Sequence, residues 1–95
     1  MEDLDTSNAP VLKINLSRNE ICDIKPLSKL PRRLVIDLDL SYNKITSVEA
    51  LRNLNIRRLS LRANEVANLG PLLNLNGLEE LDVGENSQCT EKQLL

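Results

Sequence analysis

One phrase occurs four times in this chain of 95 residues, and the repetition limits the possible folds more than any other feature. The asparagine within the phrase recurs at spacings of 24, 21 and 22 residues. A period of this length is typical of a solenoid, in which each repeat packs only on its neighbours. The four stretches are INLSRNEI, LDLSYNKI, LSLRANEV and LDVGENSQ, and their asparagines are Asn19, Asn43, Asn64 and Asn86.

Apolar residues keep fixed places around these asparagines. In the first three repeats, aliphatic residues fill all 21 of the places at −8, −5, −3, +2, +5, +8 and +11 from the asparagine. Before the asparagine the period is two, as in a strand, and after it the period is three, as in a 3₁₀ helix. Pro26 and Pro71 both follow their asparagine by seven residues. Because proline is favoured where a helix begins, the helical returns are predicted to start there.

The asparagine itself is predicted to have a structural role in each repeat. A short amide side chain that faces inward can satisfy backbone groups that a tight turn leaves unpaired. The residues to which we assign this role are Asn19, Asn43, Asn64 and Asn86.

The pattern L-x-x-L-x-L-x-x-N-x-I/L resembles the signature of leucine-rich repeats, over roughly residues 11–83. The continuation N-x-I-x-x-I-x-x-L-x-x-L resembles the short subclass with about 22 residues per repeat. That subclass includes the leucine-rich regulatory subunit of type 1 protein phosphatase. The resemblance implies an α/β repeat fold: a leucine-rich-repeat solenoid arc with a parallel sheet on the concave face and 3₁₀ or helical returns on the convex face.

The same resemblance implies a function in protein–protein recognition, as a scaffold or regulatory subunit that binds a protein partner on the concave face. Two alternatives stay open. The chain could be a purely structural segment of a longer repeat array, or it could be a phosphatase-regulatory subunit. Each alternative shares the fold, and a fold alone does not decide function.

The chain divides into three predicted parts. Residues 1–10 form an N-terminal segment or weak cap, residues 11–86 form four repeats, and residues 87–95 form a degraded repeat or C-terminal cap. The last part is set apart because Gln88 and Glu91 replace aliphatic residues of the pattern. Since both caps are thin, end-to-end self-association through exposed terminal repeats is a further expectation. The pattern fits a complete chain and a fragment equally well.

The candidate binding residues lie before, between and after the leucines of each strand and beside the asparagine, at places that face outward. Tyr42 is the only aromatic residue, and tyrosine is enriched at binding hot spots. The alternative for Tyr42 is simple packing over neighbouring aliphatic stems. The row Lys13, Asp37, Arg58 and Glu80 alternates in charge, which could pattern a binding surface or merely stabilise the sheet. The predicted partner-binding residues are Tyr42, Asp39, Arg62, Arg58, Asp37, Asp82, Glu80 and Arg18.

Composition argues against catalysis. The chain has no histidine, so no histidine-based triad, relay or metal site is expected. Asp37 and Asp39 are the best candidates for a catalytic carboxylate pair, but an open sheet flanked by cations would not raise either pKa as acid catalysis requires. We therefore expect no enzyme, no catalytic residue, no metal and no cofactor.

Two further partner classes are not expected. A net charge of −2 and a single aromatic residue give no basic, aromatic surface for nucleic acid. No apolar run approaches the roughly 20 residues of a membrane span. The protein is therefore expected to bind neither nucleic acid nor membrane.

An intracellular location is predicted from the N-terminus and the cysteines. The opening MEDLDTSNAP is acidic and polar, unlike a secretory signal. Cys22 and Cys89 lie three repeats apart, about 14 Å at the spacing of strands, which exceeds the limit of about 7 Å between the Cα atoms of a disulfide. Two free thiols fit a reducing compartment. The cytoplasm is the first expectation, with the nucleus or cytoskeleton as alternatives.

Overall fold

Four parallel strands, one from each repeat, form a single sheet in the computed structural model, which describes residues 10–86. The strands are β1 (Val11–Asn15), β2 (Val35–Asp39), β3 (Asn55–Ser60) and β4 (Glu80–Asp82). Their order in the sheet is their order in the chain. The predicted leucine-rich-repeat arc, with its sheet on the concave face, is thereby confirmed.

In the described part of the chain, three 3₁₀ helices return across the convex face, and they occupy Lys25–Lys29, Glu49–Leu51 and Gly70–Asn74. Pro26 and Pro71 stand in the first turn of the first and third helices. The missing N–H of proline costs nothing there, because the first N–H groups of a helix have no partner within it. Among residues 10–86, no helix is long and apolar enough to cross a membrane.

The register between β2 and β3 shifts by one residue, so the apolar place eight residues before the asparagine is not buried in every repeat. Val35, which fills that place in the second repeat, pairs with Asn55 and is only half-buried. Ile36 instead pairs with Ile56, and both are fully buried. The extra residue on β3 is Arg57. A fixed offset from the asparagine cannot detect a β-bulge, because a bulge adds a residue to one strand without changing the apolar pattern around it.

Most of the aliphatic core lies in the two middle repeats. Leu40 and Leu61 are fully buried, whereas Leu16 and Val83, at the same place in the first and fourth repeats, are half-buried. A repeat buries its apolar side chains against a neighbour on each side. Within residues 10–86, each terminal repeat has a neighbour on one side only, so the middle of the arc carries most of the apolar burial.

The predicted terminal segments fall almost entirely outside the described residues. Of the segment 1–10 the structure describes only residue 10, and it describes none of residues 87–95. The division at 11 and 86 therefore stays a prediction.

Candidate functional site

Buried asparagines in the turns after the strands form hydrogen bonds from one repeat to the next, and we call this set of bonds the asparagine ladder. Asn64 Oδ1 accepts a hydrogen bond from the backbone N–H of Ile45 at 3.0 Å, and Asn64 Nδ2 donates to the carbonyl oxygens of Leu40 and Leu61 at 2.9 and 3.0 Å. Asn43 and Asn86 make equivalent bonds to the repeat before them. Each buried amide thus joins its own turn to the preceding repeat and fixes the rim of the concave face.

The residue before each asparagine has a left-handed backbone, and this sets the direction of the rim side chains. The φ angles are 59, 58, 58 and 57° at Arg18, Tyr42, Ala63 and Glu85. Such a conformation costs roughly 1–2 kcal/mol for a residue with a Cβ. Four different side-chain types occupy this position with nearly the same φ, so the turn beside the asparagine sets the conformation and the residue type does not. This feature was not predicted, since its only signal in the sequence is the place next to the turn asparagine.

Tyr42 and Arg18 form an exposed pair on the rim of the concave face. The guanidinium carbon of Arg18 lies 4.4 Å from the centroid of the Tyr42 ring, within the range of a cation–π contact. Tyr42 stays 39% exposed. The ring of Tyr42 therefore lies against an arginine of the neighbouring repeat and remains partly open to solvent.

Asp37 is tied to the bulged residue of the next strand. Arg57 donates to both carboxylate oxygens of Asp37, from Nε at 3.1 Å and from Nη2 at 2.7 Å. These hydrogen bonds, together with the charges of Arg57, Arg58 and Lys13, lower the pKa of Asp37 below its ordinary value. This is the opposite of the raised pKa that a catalytic acid needs. Sequence reasoning named Arg58 and Lys13 as the cations beside Asp37 and missed Arg57, because the bulge was not visible.

The other predicted charges pair with one another across β3 and β4. Arg58 Nε lies 3.3 Å from a carboxylate oxygen of Glu80, and Arg62 lies 3.2 Å from both Asp82 and Glu85. The charge of Asp82, its hydrogen bond and the charge of Glu85 raise the pKa of Arg62. These side chains are largely exposed, so each pair adds little to stability. A partner that used them would have to exchange these contacts for its own.

Asn15 and Asp39 are the last residues of β1 and β2, and each forms a short turn with the serine two residues later. Asp39 Oδ1 accepts hydrogen bonds from the backbone N–H and the hydroxyl of Ser41 at 3.0 and 2.6 Å. Asn15 holds Ser17 in the same way, at 3.0 and 2.7 Å. This short-range turn, formed by an Asx side chain two residues before its donor, could have been read from the sequence. Within residues 10–86, Asp39 forms no ion pair, so its charge is available to a partner.

An open groove with a volume of about 440 Å³ crosses the strands on the concave face. It is lined by outward residues of all four strands, among them Lys13, Asp39 and Ser60. Of the eight predicted binding residues, the groove contains Asp37, Asp39, Arg58, Glu80 and Asp82. Tyr42, Arg18 and Arg62 are not among its lining residues. Tyr42 and Arg18 each follow a lining residue, Asp39 and Asn15, by three positions in the chain. Whether any of the eight binds a partner stays a prediction.

Comparison with known proteins supports the class of the chain. It is 32% identical over 90 residues to human Tsukushi and 34% identical over 82 residues to mouse Tsukushi, covering 90% and 81% of this chain. Tsukushi is a leucine-rich-repeat protein, and the fold of this chain is likewise that of a leucine-rich-repeat arc. It spans about a quarter of the length of these relatives, 26% and 23%. No protein-family model matches the chain, and no solved structure matches it.

The predicted intracellular location is wrong. The Tsukushi relatives are secreted extracellular proteins. The prediction rested on an N-terminus without signal features, which carries no information on the compartment when the sequence covers a quarter of its relatives. It also rested on the thiols. Cys22 is free and exposed, and Cys89 lies outside the described residues.

Proposed function

We propose that the chain is a protein-interaction module that binds a protein partner on its concave sheet face. The observation that carries this proposal is the exposed Tyr42–Arg18 pair, whose residues follow the groove residues Asp39 and Asn15 by three positions in the chain. The two relatives are leucine-rich-repeat proteins as well, which supports a binding function for the class. The partner is expected to cover Tyr42 and to place a cation or hydrogen-bond donor against Asp39.

Tyr42 is well suited to be the central contact because its side chain would lose little conformational freedom when a partner binds. Its backbone is fixed by the turn of Asn43, and its ring lies against Arg18. Binding usually costs about 0.5–1.5 kcal/mol for each flexible side chain that becomes ordered. A ring that is already oriented avoids most of that cost, and it offers a large apolar area for the partner.

The paired charges on β2, β3 and β4 have a different proposed role. Asp37, Arg58, Glu80, Arg62 and Asp82 contact each other or Arg57 in the free protein. A partner gains little net energy by replacing one such contact with another. Their alternating signs instead favour partners with the complementary pattern and disfavour others, so they would contribute to specificity and to the rate of association.

The alternative of a structural segment in a longer array rests on the half-exposed apolar residues of the terminal repeats. It predicts that residues 1–95 alone are much less stable than the same residues with further repeats attached. A phosphatase-regulatory role stays a narrower prediction from the sequence resemblance, and no contact on the concave face favours a phosphatase over another protein.

The concave face is tested by affinity capture from an extract of the source organism, followed by mass spectrometry. The bait variant Tyr42→Ala/Asp39→Asn/Arg62→Gln removes the rim ring and two charges. Asp39→Asn is chosen because Asn15 shows that an asparagine keeps the Asx turn. The matched control is Lys29→Ala/Arg52→Ala/Leu73→Ala on the convex helices, where Leu73 is 64% exposed.

We expect the wild type and the convex control to capture the same partner, and the concave variant to lose it. All three baits must give the same circular dichroism spectrum. A partner that is retained by the folded concave variant and lost by the convex control would overturn the proposal.

A further inference from the structure

The two ends of the arc carry complementary halves of one packing surface. At the β1 end, Ile14 and Leu16 are half-buried, and at the β4 end Leu81 and Val83 are half-buried. The residues at the same places in the middle repeats are buried. Each end thus leaves open, within residues 10–86, an apolar strip of the kind that another repeat covers elsewhere in the arc.

Hydrogen bonding at the two ends is complementary too. In the middle repeats, the carbonyl oxygens of Leu40 and Leu61 each accept from two asparagines, their own and that of the next repeat. Within residues 10–86, the carbonyl oxygen of Val83 accepts only from Asn86, and Asn19 Oδ1 accepts no backbone N–H from a preceding repeat. The β4 end therefore has a free acceptor where the amide of Asn19 could donate.

Charge decides which partner these ends fit. The register aligns Lys13 with Asp37, Asp37 with Arg58, and Arg58 with Glu80, so that opposite charges face each other at every step. If the β4 end of one copy lay beside the β1 end of another, Glu80 would meet Lys13 and the alternation would continue. In the rim position, Glu85 would meet Arg18 in the same way. Two β1 ends would instead bring lysine against lysine, and two β4 ends glutamate against glutamate.

We propose that the chain associates head to tail, with the β1 edge of one copy docking parallel to the β4 edge of a second copy. This contact lies at the ends of the sheet and goes beyond the proposed function of the concave face. Because the two surfaces differ, the contact is heterologous and leaves one free edge of each kind. Association then continues into open chains of copies instead of stopping at a closed dimer.

The first test uses the wild-type chain of 95 residues in analytical ultracentrifugation over a series of protein concentrations. Head-to-tail association predicts a weight-average mass that keeps rising above that of a dimer and falls as salt is added, since screening weakens the end-to-end charge pairs. A zero-length carbodiimide cross-linker should then join Lys13 to Glu80 in species of two or more copies. Within one copy these residues are three strand spacings apart, about 14 Å, so the link reports contact between copies.

The second test exchanges the charges. Lys13→Glu alone and Glu80→Lys alone should each weaken self-association about tenfold, because an attraction at the junction becomes a repulsion. Mixing the two variants should restore association, as should the double variant K13E/E80K. The controls Arg33→Glu and Glu65→Lys make the same changes in net charge at exposed places away from the ends and should leave association unchanged.

Thermal unfolding of each variant shows whether it is folded. If a variant is not folded, the cross-link and salt series of the wild type still decide the question. A chain that stays monomeric at all concentrations, a cross-link that joins Lys13 only within one copy, or variants that associate as the wild type does would each overturn the proposal.

Discussion

The guanidinium of Arg57 holds both carboxylate oxygens of Asp37, at 3.1 and 2.7 Å, although the two residues stand 20 positions apart in the sequence. The Asp37 side chain is only 13% exposed. Arg57 is the additional residue of the β3 bulge, so a local irregularity of the sheet supplies the counter-charge for a carboxylate that would otherwise face solvent and two more distant cations. Protonation of the Asp37 carboxylate would therefore weaken a contact that joins β2 to β3.

The stability of the chain should depend on the ionisation of Asp37. Its pKa is lower in the folded protein than the ordinary 3.8, so a proton binds more readily to the unfolded chain. The stabilisation is therefore complete above about pH 4–5 and is lost as the pH falls through the lowered value. We expect wild type to unfold at higher urea concentration than Asp37→Asn at pH 7, and the difference to shrink below pH 3.8.

The exposed pair of Glu49 and Arg52 is the control for this measurement, because its side chains are 61% and 41% exposed. Glu49→Gln should change the urea midpoint little at either pH. A difference between wild type and Asp37→Asn that stayed the same from pH 7 to pH 3 would contradict the assigned role of Asp37.

The asparagine ladder predicts a large difference between two chemically identical substitutions. Asn64→Ala leaves the buried N–H of Ile45 without its partner. It also removes one of the two asparagine hydrogen bonds at each of the carbonyl oxygens of Leu40 and Leu61. Since an unsatisfied buried group costs about 1–3 kcal/mol and a lost hydrogen bond about 0.5–1.5 kcal/mol, we expect a loss of roughly 2–4 kcal/mol in the free energy of unfolding. Asn19→Ala should cost less than about 1 kcal/mol, because Asn19 is exposed and bonds only within its own turn.

Urea denaturation of the two alanine variants beside the wild type measures both values. Equal losses for Asn64→Ala and Asn19→Ala would mean that the amides act within their own turns and do not join one repeat to the next.

The left-handed backbone at the rim predicts a stabilising substitution. Ala63 has a φ of 58°, and its side chain is a single methyl group. Glycine adopts this φ without the cost of a Cβ, while its greater freedom in the unfolded chain takes back part of the gain. We expect Ala63→Gly to raise the free energy of unfolding by about 0.5–1 kcal/mol. Thermal unfolding followed by circular dichroism checks this, and a lowered melting temperature would contradict the φ assigned to Ala63.

The repetitive part of the fold could be predicted from the sequence because the same physical constraint acts in every repeat. Burial of one strand face imposes a period of two, and the 3₁₀ return imposes a period of three, so Leu38 and Leu59 could be placed before the structure was known. Pro26 and Pro71 likewise mark the helix starts.

The features that were missed are those in which the repeats differ. The bulge at Arg57 changes the partner of Asp37 without disturbing any apolar position, so a periodic pattern cannot reveal it. Arg18 and Tyr42 contact each other from turns in which both have a left-handed backbone. The intrinsic backbone preferences of arginine and tyrosine do not favour that conformation, so the sequence gives no sign of the contact. The Asx turn of Asp39 was visible in the sequence as Asp-x-Ser but was interpreted as an outward binding position alone.

The central claim is that a protein partner binds the concave face around Tyr42. Isothermal titration calorimetry of the captured partner against wild type, Tyr42→Ala and Leu73→Ala tests it most directly. The account predicts that Tyr42→Ala weakens binding by at least about 2 kcal/mol, roughly 30-fold, as expected for a hot spot. It predicts that Leu73→Ala, on the convex face, stays within about twofold of wild type. Binding by folded Tyr42→Ala as tight as that of wild type would contradict the claim.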